Sequence, residues 1–188
     1  MLVGSVDIGY NNLGLVLAQV DHYKIKHVYF CKRINIGNYH CKNKDCKIPH
    51  TREVCDLVAH FAQDYKHILD PCDILLVERQ PPGGLGNVEA LICYLFRPKI
   101  HWVSPTSMHK HHMISHLDYE GRKVKTEEIA KKWLGGKVDY DKEVRKHDMA
   151  DAMCMIMFWA QPKRDEIDRK KRQQELRQDL NLDRFKYC

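Results

Sequence analysis

The sequence predicts an α/β domain with a mixed central sheet flanked by helices. Three observations carry this. An apolar hairpin opens the chain, Leu2 to Val6 and then Leu13 to Val20, turned at Gly9 and Asn11-Asn12. Lys24 to Ile36 alternates as a third strand. Beyond it, helical and extended patterns take turns, and Ile74-Leu75-Leu76-Val77 is apolar throughout, as a strand covered on both faces must be.

The first strand ends in an acid, Asp7. An unpaired buried carboxylate is expensive, so Asp7 needs a cation or metal, or else it caps a surface turn. From this stretch alone the two fit equally. Gly37 to Pro49 is a polar, irregular insertion. Cys41 and Cys46 stand with four residues between them, and His50 follows after three more, which is loosely zinc-like. A clear fourth ligand and a second CxxC are lacking, so the segment reads as a solvated loop.

Thr51 is the expected cap of a helix over Arg52 to Leu69, with Val54, Leu57, Val58, Phe61 and Tyr65 on one face. Asp70-Pro71 stops it. The apolar strand at 74–77 runs into Glu78, a second acid at a buried strand end, before Pro81-Pro82-Gly83-Gly84. A helix is predicted over Asn87 to Phe96 and a short strand over Lys99 to Val103. Thr106 to His116 holds His109, His111, His112 and His116 beside Lys110, and reads as a solvated or phosphate-facing surface rather than a metal site. Arg122, Lys123 and Lys125 form a basic loop ahead of a helix over Thr126 to Leu134, a position that suits a phosphate.

Lys142 to Ala160 is the last core helix, apolar almost all round. It nevertheless carries Asp148 and Asp151, three apart and therefore on one face. Two like charges in such a helix call for a cation, although one exposed Asp and one bonded to Arg145 is the bland alternative. The domain is read as 1–161. After Pro162 the composition changes: Lys163 to Lys186 has nine basic and six acidic residues, a solvated helix or tail over 162–188.

Composition excludes several classes. The chain has 188 residues, with 31 Lys and Arg against 25 Asp and Glu, hence +6. This permits a polyanionic partner without demanding one. No apolar run is long enough to span a bilayer, and no signal peptide is expected ahead of Asp7. The eight cysteines are scattered, which fits a reducing compartment.

Asp7, Glu78, Asp148 and Asp151 thus bring acid into apolar surroundings from two strands and a helix. Such hard oxygen donors suit Mg²⁺ or Mn²⁺, and paired ions of this kind hydrolyse phosphodiesters. Hairpin, third strand, then alternating helix and strand is the order of an RNase H-like fold. The motifs Ser5-Val6-Asp7-Ile8-Gly9-x-x-Asn12-Leu13, Val77-Glu78-Arg79-Gln80 and His147-Asp148-x-x-Asp151-Ala152 resemble the Holliday-junction resolvases of the RuvC type, the poxvirus ones above all, over residues 2–160.

The resemblance implies a homodimeric, Mg²⁺-dependent endonuclease that cuts four-way DNA junctions and resolves concatemeric viral genomes in the host cell cytoplasm. It implies Asp7, Glu78, Asp148 and Asp151 as metal-binding acids and Lys125, with Lys123 close behind, as the basic catalytic residue that the family uses between the Glu and the last acid pair. A dimer interface is expected on the helix at 87–96, through Leu91, Ile92, Leu95 and Phe96 with Tyr94 and Arg97 at the rim. Two other classes compete: an actin-like or sugar-kinase-type phosphotransferase, suggested by Asp7-Ile8-Gly9 with Asn12 and Gly14, and a non-catalytic nucleic-acid-binding module.

Overall fold

A computed structural model of the chain describes residues 1–38, 41, 45–161 and 172. Five strands form one sheet: β1 (Leu2–Asp7), β2 (Leu13–Asp21), β3 (Lys24–Ile34), β4 (Ile74–Glu78) and β5 (Ile100–Val103). Their spatial order is β3-β2-β1-β4-β5. The first three are antiparallel neighbours, whereas β1/β4 and β4/β5 pair in parallel. This is the mixed sheet of the RNase H-like fold. Parallel pairing needs crossover connections, which is why helices enter only after β3.

Strand alternation sends side chains to two cores. Val6, Leu13, Leu15, Leu75 and Val77 face α1 (Val54–Asp64) and α3 (Gly86–Leu95), where Leu57, Val58, Phe61, Val88 and Ile92 meet them. Val3, Val16, Ala18, Leu76 and Val103 face the other side. There α4 (Pro105–His111), α5 (Tyr119–Leu134), α6 (Val138–Asp141) and a last helix over residues 147–161, α7, cover them. Met108, Ala130, Leu134, Tyr140, Met149, Ala150 and Met153 supply that core.

Several boundaries differ from expectation. The helix expected over 52–69 breaks at Tyr65 into α1 and a short α2 (Lys66–Leu69). Thr51 is not its cap: Glu53 holds that place, and the Thr51 hydroxyl accepts the Glu53 N–H instead. The basic stretch at 122–125 is not a loop. Asp118 caps α5 by accepting the Gly121 N–H at 2.8 Å, so the helix starts seven residues ahead of Thr126 and takes Arg122 to Lys125 inside it. Conversely, α7 begins at residue 147, because 142–146 is irregular. Ile92 of α3 and Phe96, which ends it, are buried in the core and so cannot form an exposed interface; Tyr94 and Leu95 stay exposed. The expected tail over 162–188 lies outside the described residues, Arg172 apart.

No helix among the described residues is long and apolar enough to cross a membrane.

Candidate active site

The parallel register fixes the first two acids. Val6 lies opposite Val77, so Asp7 and Glu78 leave neighbouring strands at the same end. Asp7 shares strand parity with Val3, and Glu78 with Leu76, so both point toward the α5 and α7 side. Helix α7 adds Asp148 and Asp151 in its first turn and a half. Its approach depends on Gly14: a Cβ there would run into the Asp148 carbonyl. Glycine in β2 therefore lets the start of α7 settle directly over the sheet.

One open cavity of about 420 Å³ receives all four acids. Asp7 and Glu78 share a hydrogen bond. Burial, then the carboxylates of Glu78 and Asp151, hold Asp7 well above the usual carboxylate range. Burial raises Glu78 as well, although the Gln80 amide donates to it at 2.8 Å. Asp151 is pushed up to about 7 by burial, against a hydrogen bond from Thr126 that pulls it down. Asp148 differs. Arg145 Nε donates to its Oδ2 at 3.0 Å, and His147 Nε2 stands 3.5 Å from Oδ1. The bland alternative for Asp148, a bond to Arg145, is thus present together with convergence on the other acids.

Asp7, Glu78 and Asp151 crowd together, and the donors they offer are carboxylate oxygens only. That is an environment a hard divalent cation fits: it would neutralise charge that burial and mutual repulsion now suppress.

The cavity wall is basic and aromatic. Arg122, Lys123 and Tyr119 project into it from one face of α5, with His109 from α4 and Tyr10 to Asn12 from the β1–β2 turn. Lys123 Nζ lies 3.9 Å over the Tyr119 ring and 3.0 Å from Glu120. Burial and Arg122 lower the His109 pKa. Lys125 does not line the cavity. It pairs with Glu128 at 2.6 Å on the exposed side of α5. Two residues along a helix turn a side chain by about 200°, so Lys123 and Lys125 face opposite ways.

Sequence reasoning placed His109 on a solvated or phosphate-facing surface and missed Tyr119 and Arg33. The last bonds Asn12 at 2.7 Å and pairs with Glu143 at 3.0 Å, tying the β1–β2 turn to the approach of α7. His111 and His112 do not line the cavity: their rings meet edge to face at 4.9 Å, His112 contacts the Cys154 carbonyl at 3.0 Å and His111 packs on Phe158.

No family model and no curated protein matches the sequence. Solved structures do match. The fowlpox virus resolvase in complex with substrate Holliday junction DNA superposes with a TM-score of 0.64 at 16% identity, covering 86% of this chain and 98% of that one. The yeast mitochondrial Holliday junction resolvase Ydc2 gives 0.62 at 17%, over 91% and 83%. Thermus thermophilus RuvC gives 0.51 at 16%, over 85% and 95%. The chain has the RuvC-type resolvase fold.

Proposed function

We propose that this chain, built on the RuvC-type fold, is an endonuclease that resolves four-way DNA junctions by paired, metal-dependent cleavage. One observation carries the reading: four acids from β1, β4 and α7 converge beneath a basic rim, in a fold whose solved examples include a resolvase bound to junction DNA. Asp7, Glu78, Asp148 and Asp151 would hold Mg²⁺ or Mn²⁺. When bound, the cation supplies an acidified water and positive charge for the leaving oxygen.

The chain's own residues do the rest. Arg122 and Lys123 receive backbone phosphates at the rim, and Lys123 offsets the negative charge that builds on the scissile phosphate. Gln80 holds the Glu78 carboxylate in place through its amide. Arg145 does the same for Asp148. A twofold dimer would present two such sites to the two equivalent strands of a junction. The exposed Tyr94 and Leu95 of α3 are the apolar part of the expected interface that remains available.

A cleavage assay on a synthetic four-way junction tests the reading. Glu78→Gln should cut at least about 100-fold more slowly than wild type while binding the junction within a few-fold of it. Wild-type cutting by this variant, or no metal-dependent cutting by the wild type, would overturn it.

A further inference from the structure

We propose that Cys41, Cys46, His50 and His60 form a structural zinc site that fastens the polar insertion at 37–50 to helix α1. The four residues come from two separate parts of the chain, and the fold brings one ligand atom of each within 4.8 Å of all the others. His60 is the ligand that spacing alone does not reveal. It lies in the middle of α1 and is 2% exposed, between the core residues Leu57 and Phe61.

The distances fit the chemistry. Tetrahedral zinc with sulfur at about 2.3 Å and nitrogen at about 2.05 Å separates a sulfur and a nitrogen ligand by about 3.6 Å. Cys46 Sγ and His60 Nδ1 are 3.6 Å apart. The two imidazoles stand side by side, with ring centroids 4.6 Å apart.

The protonation of His60 is also set for this role. Its Nε2 lies 3.1 Å from the Pro49 carbonyl oxygen. A carbonyl only accepts, so Nε2 carries the proton. In the neutral ring, the lone pair is then on Nδ1, which faces Cys46. A backbone carbonyl on the outer nitrogen is the usual support of a metal-bound histidine. Two thiolates and two imidazoles in a tetrahedral set select zinc over the hard cations that suit the carboxylate site.

The insertion has need of such a fastening. None of residues 45–50 is buried, so this stretch adds nothing to the apolar core. The described cysteines form no disulfide. Yet the segment begins against the active-site wall: Ile36 and Gly37 both donate to the Tyr10 carbonyl at 2.9 Å, and a Cβ on Gly37 would strike the Tyr10 ring. Zinc would hold the far end of the segment while these bonds hold the near end. This site shares no residue with the carboxylate cavity, so it stands or fails apart from the nuclease reading.

The test is metal analysis of the full chain, purified under reducing conditions, reconstituted with Zn²⁺ and then exchanged by gel filtration into excess Mg²⁺, which displaces zinc from carboxylates but not from thiolates. One zinc per chain is expected. The Cys41→Ser/Cys46→Ser pair should hold less than about a tenth of that, whereas Cys55→Ser and Asp7→Asn should keep it in full. Cobalt replacement of the wild type needs no variant and so does not depend on the pair folding. It should give the visible bands of tetrahedral cobalt together with thiolate charge transfer in the near ultraviolet. A wild type without zinc, a cobalt form lacking thiolate charge transfer, or equal loss of zinc in Cys55→Ser would overturn the proposal.

Discussion

Lys123 and Lys125 each pair with a glutamate, but they stand two positions apart and on opposite faces of α5. Lys123 lines the acid cavity beside Tyr119, and Lys125 spends its charge on Glu128 at the surface. Lys123→Ala should therefore slow junction cutting about 100-fold, and Lys125→Ala by less than about 3-fold, in single-turnover assays at saturating protein. Equal effects would remove the distinction. The acids make a second prediction, about stability. Asp7, Glu78 and Asp151 sit above their unfolded values, Asp151 at about 7. A raised carboxylate binds its proton more tightly folded than unfolded. Without metal, stability is then highest below about pH 4 as far as these groups decide it, and falls as pH rises through the unfolded value toward 7. At pH 7.5, metal-free Asp7→Asn or Asp151→Asn should melt about 2–8 °C higher than wild type, a gain of about 1–2 kcal/mol. Added Mg²⁺ should raise the wild-type melting point and leave the variants nearly unmoved. Calorimetry with and without chelator reads both.

At the level of elements, what was legible depended on where the pattern is periodic. The apolar runs of β1, β2 and β4 name their own strands, and the acids that end β1 and β4 follow from them. The start of α5 was not legible. Gly121 and three nearby basic residues look like a loop, and only the Asp118 bond to the Gly121 N–H shows a helix already under way. Misplacing that start removed the helical phase that separates Lys123 from Lys125. His60 was hidden for a related reason: on an apolar helix face it looks like one more core position, and its partners are contributed by a segment without periodicity. Gly14 was read as part of a loop signature, but its consequence lies across the fold at Asp148. Gly14→Ala should lift the start of α7, cost about 1–3 kcal/mol, and weaken Mg²⁺ binding well before it unfolds the sheet. Isothermal titration on the folded variant checks this; unchanged affinity would show that the close approach is dispensable.

For the whole molecule, charge and symmetry decide the outcome. If two chains each place Arg122 and Lys123 on junction phosphates, about four contacts are made. Counterion release then gives about a 100-fold loss of affinity between about 50 and 200 mM salt, with little dependence on the sequence of the arms. Sedimentation at micromolar concentration should show a dimer, and Tyr94→Glu with Leu95→Glu should leave a folded monomer that nicks rather than cuts in pairs. A wild-type monomer that binds junctions one to one would exclude the paired arrangement.

Strand β1 lies at the centre of the sheet, and α7 is the last described helix to pack onto it. The acid cluster is accordingly assembled from the two extremes of the folded domain, about 140 residues apart in order of synthesis. A chain emerging from the ribosome can form its hairpin early, but it carries only Asp7, then Asp7 with Glu78, until α7 has been made and docked. A product that ends before α7 lacks both helix acids and also Met149, Ala150 and Met153, the side chains on which Ala130 and Leu134 of α5 pack. Assembly of the acid cluster and closure of that core are therefore one and the same late event.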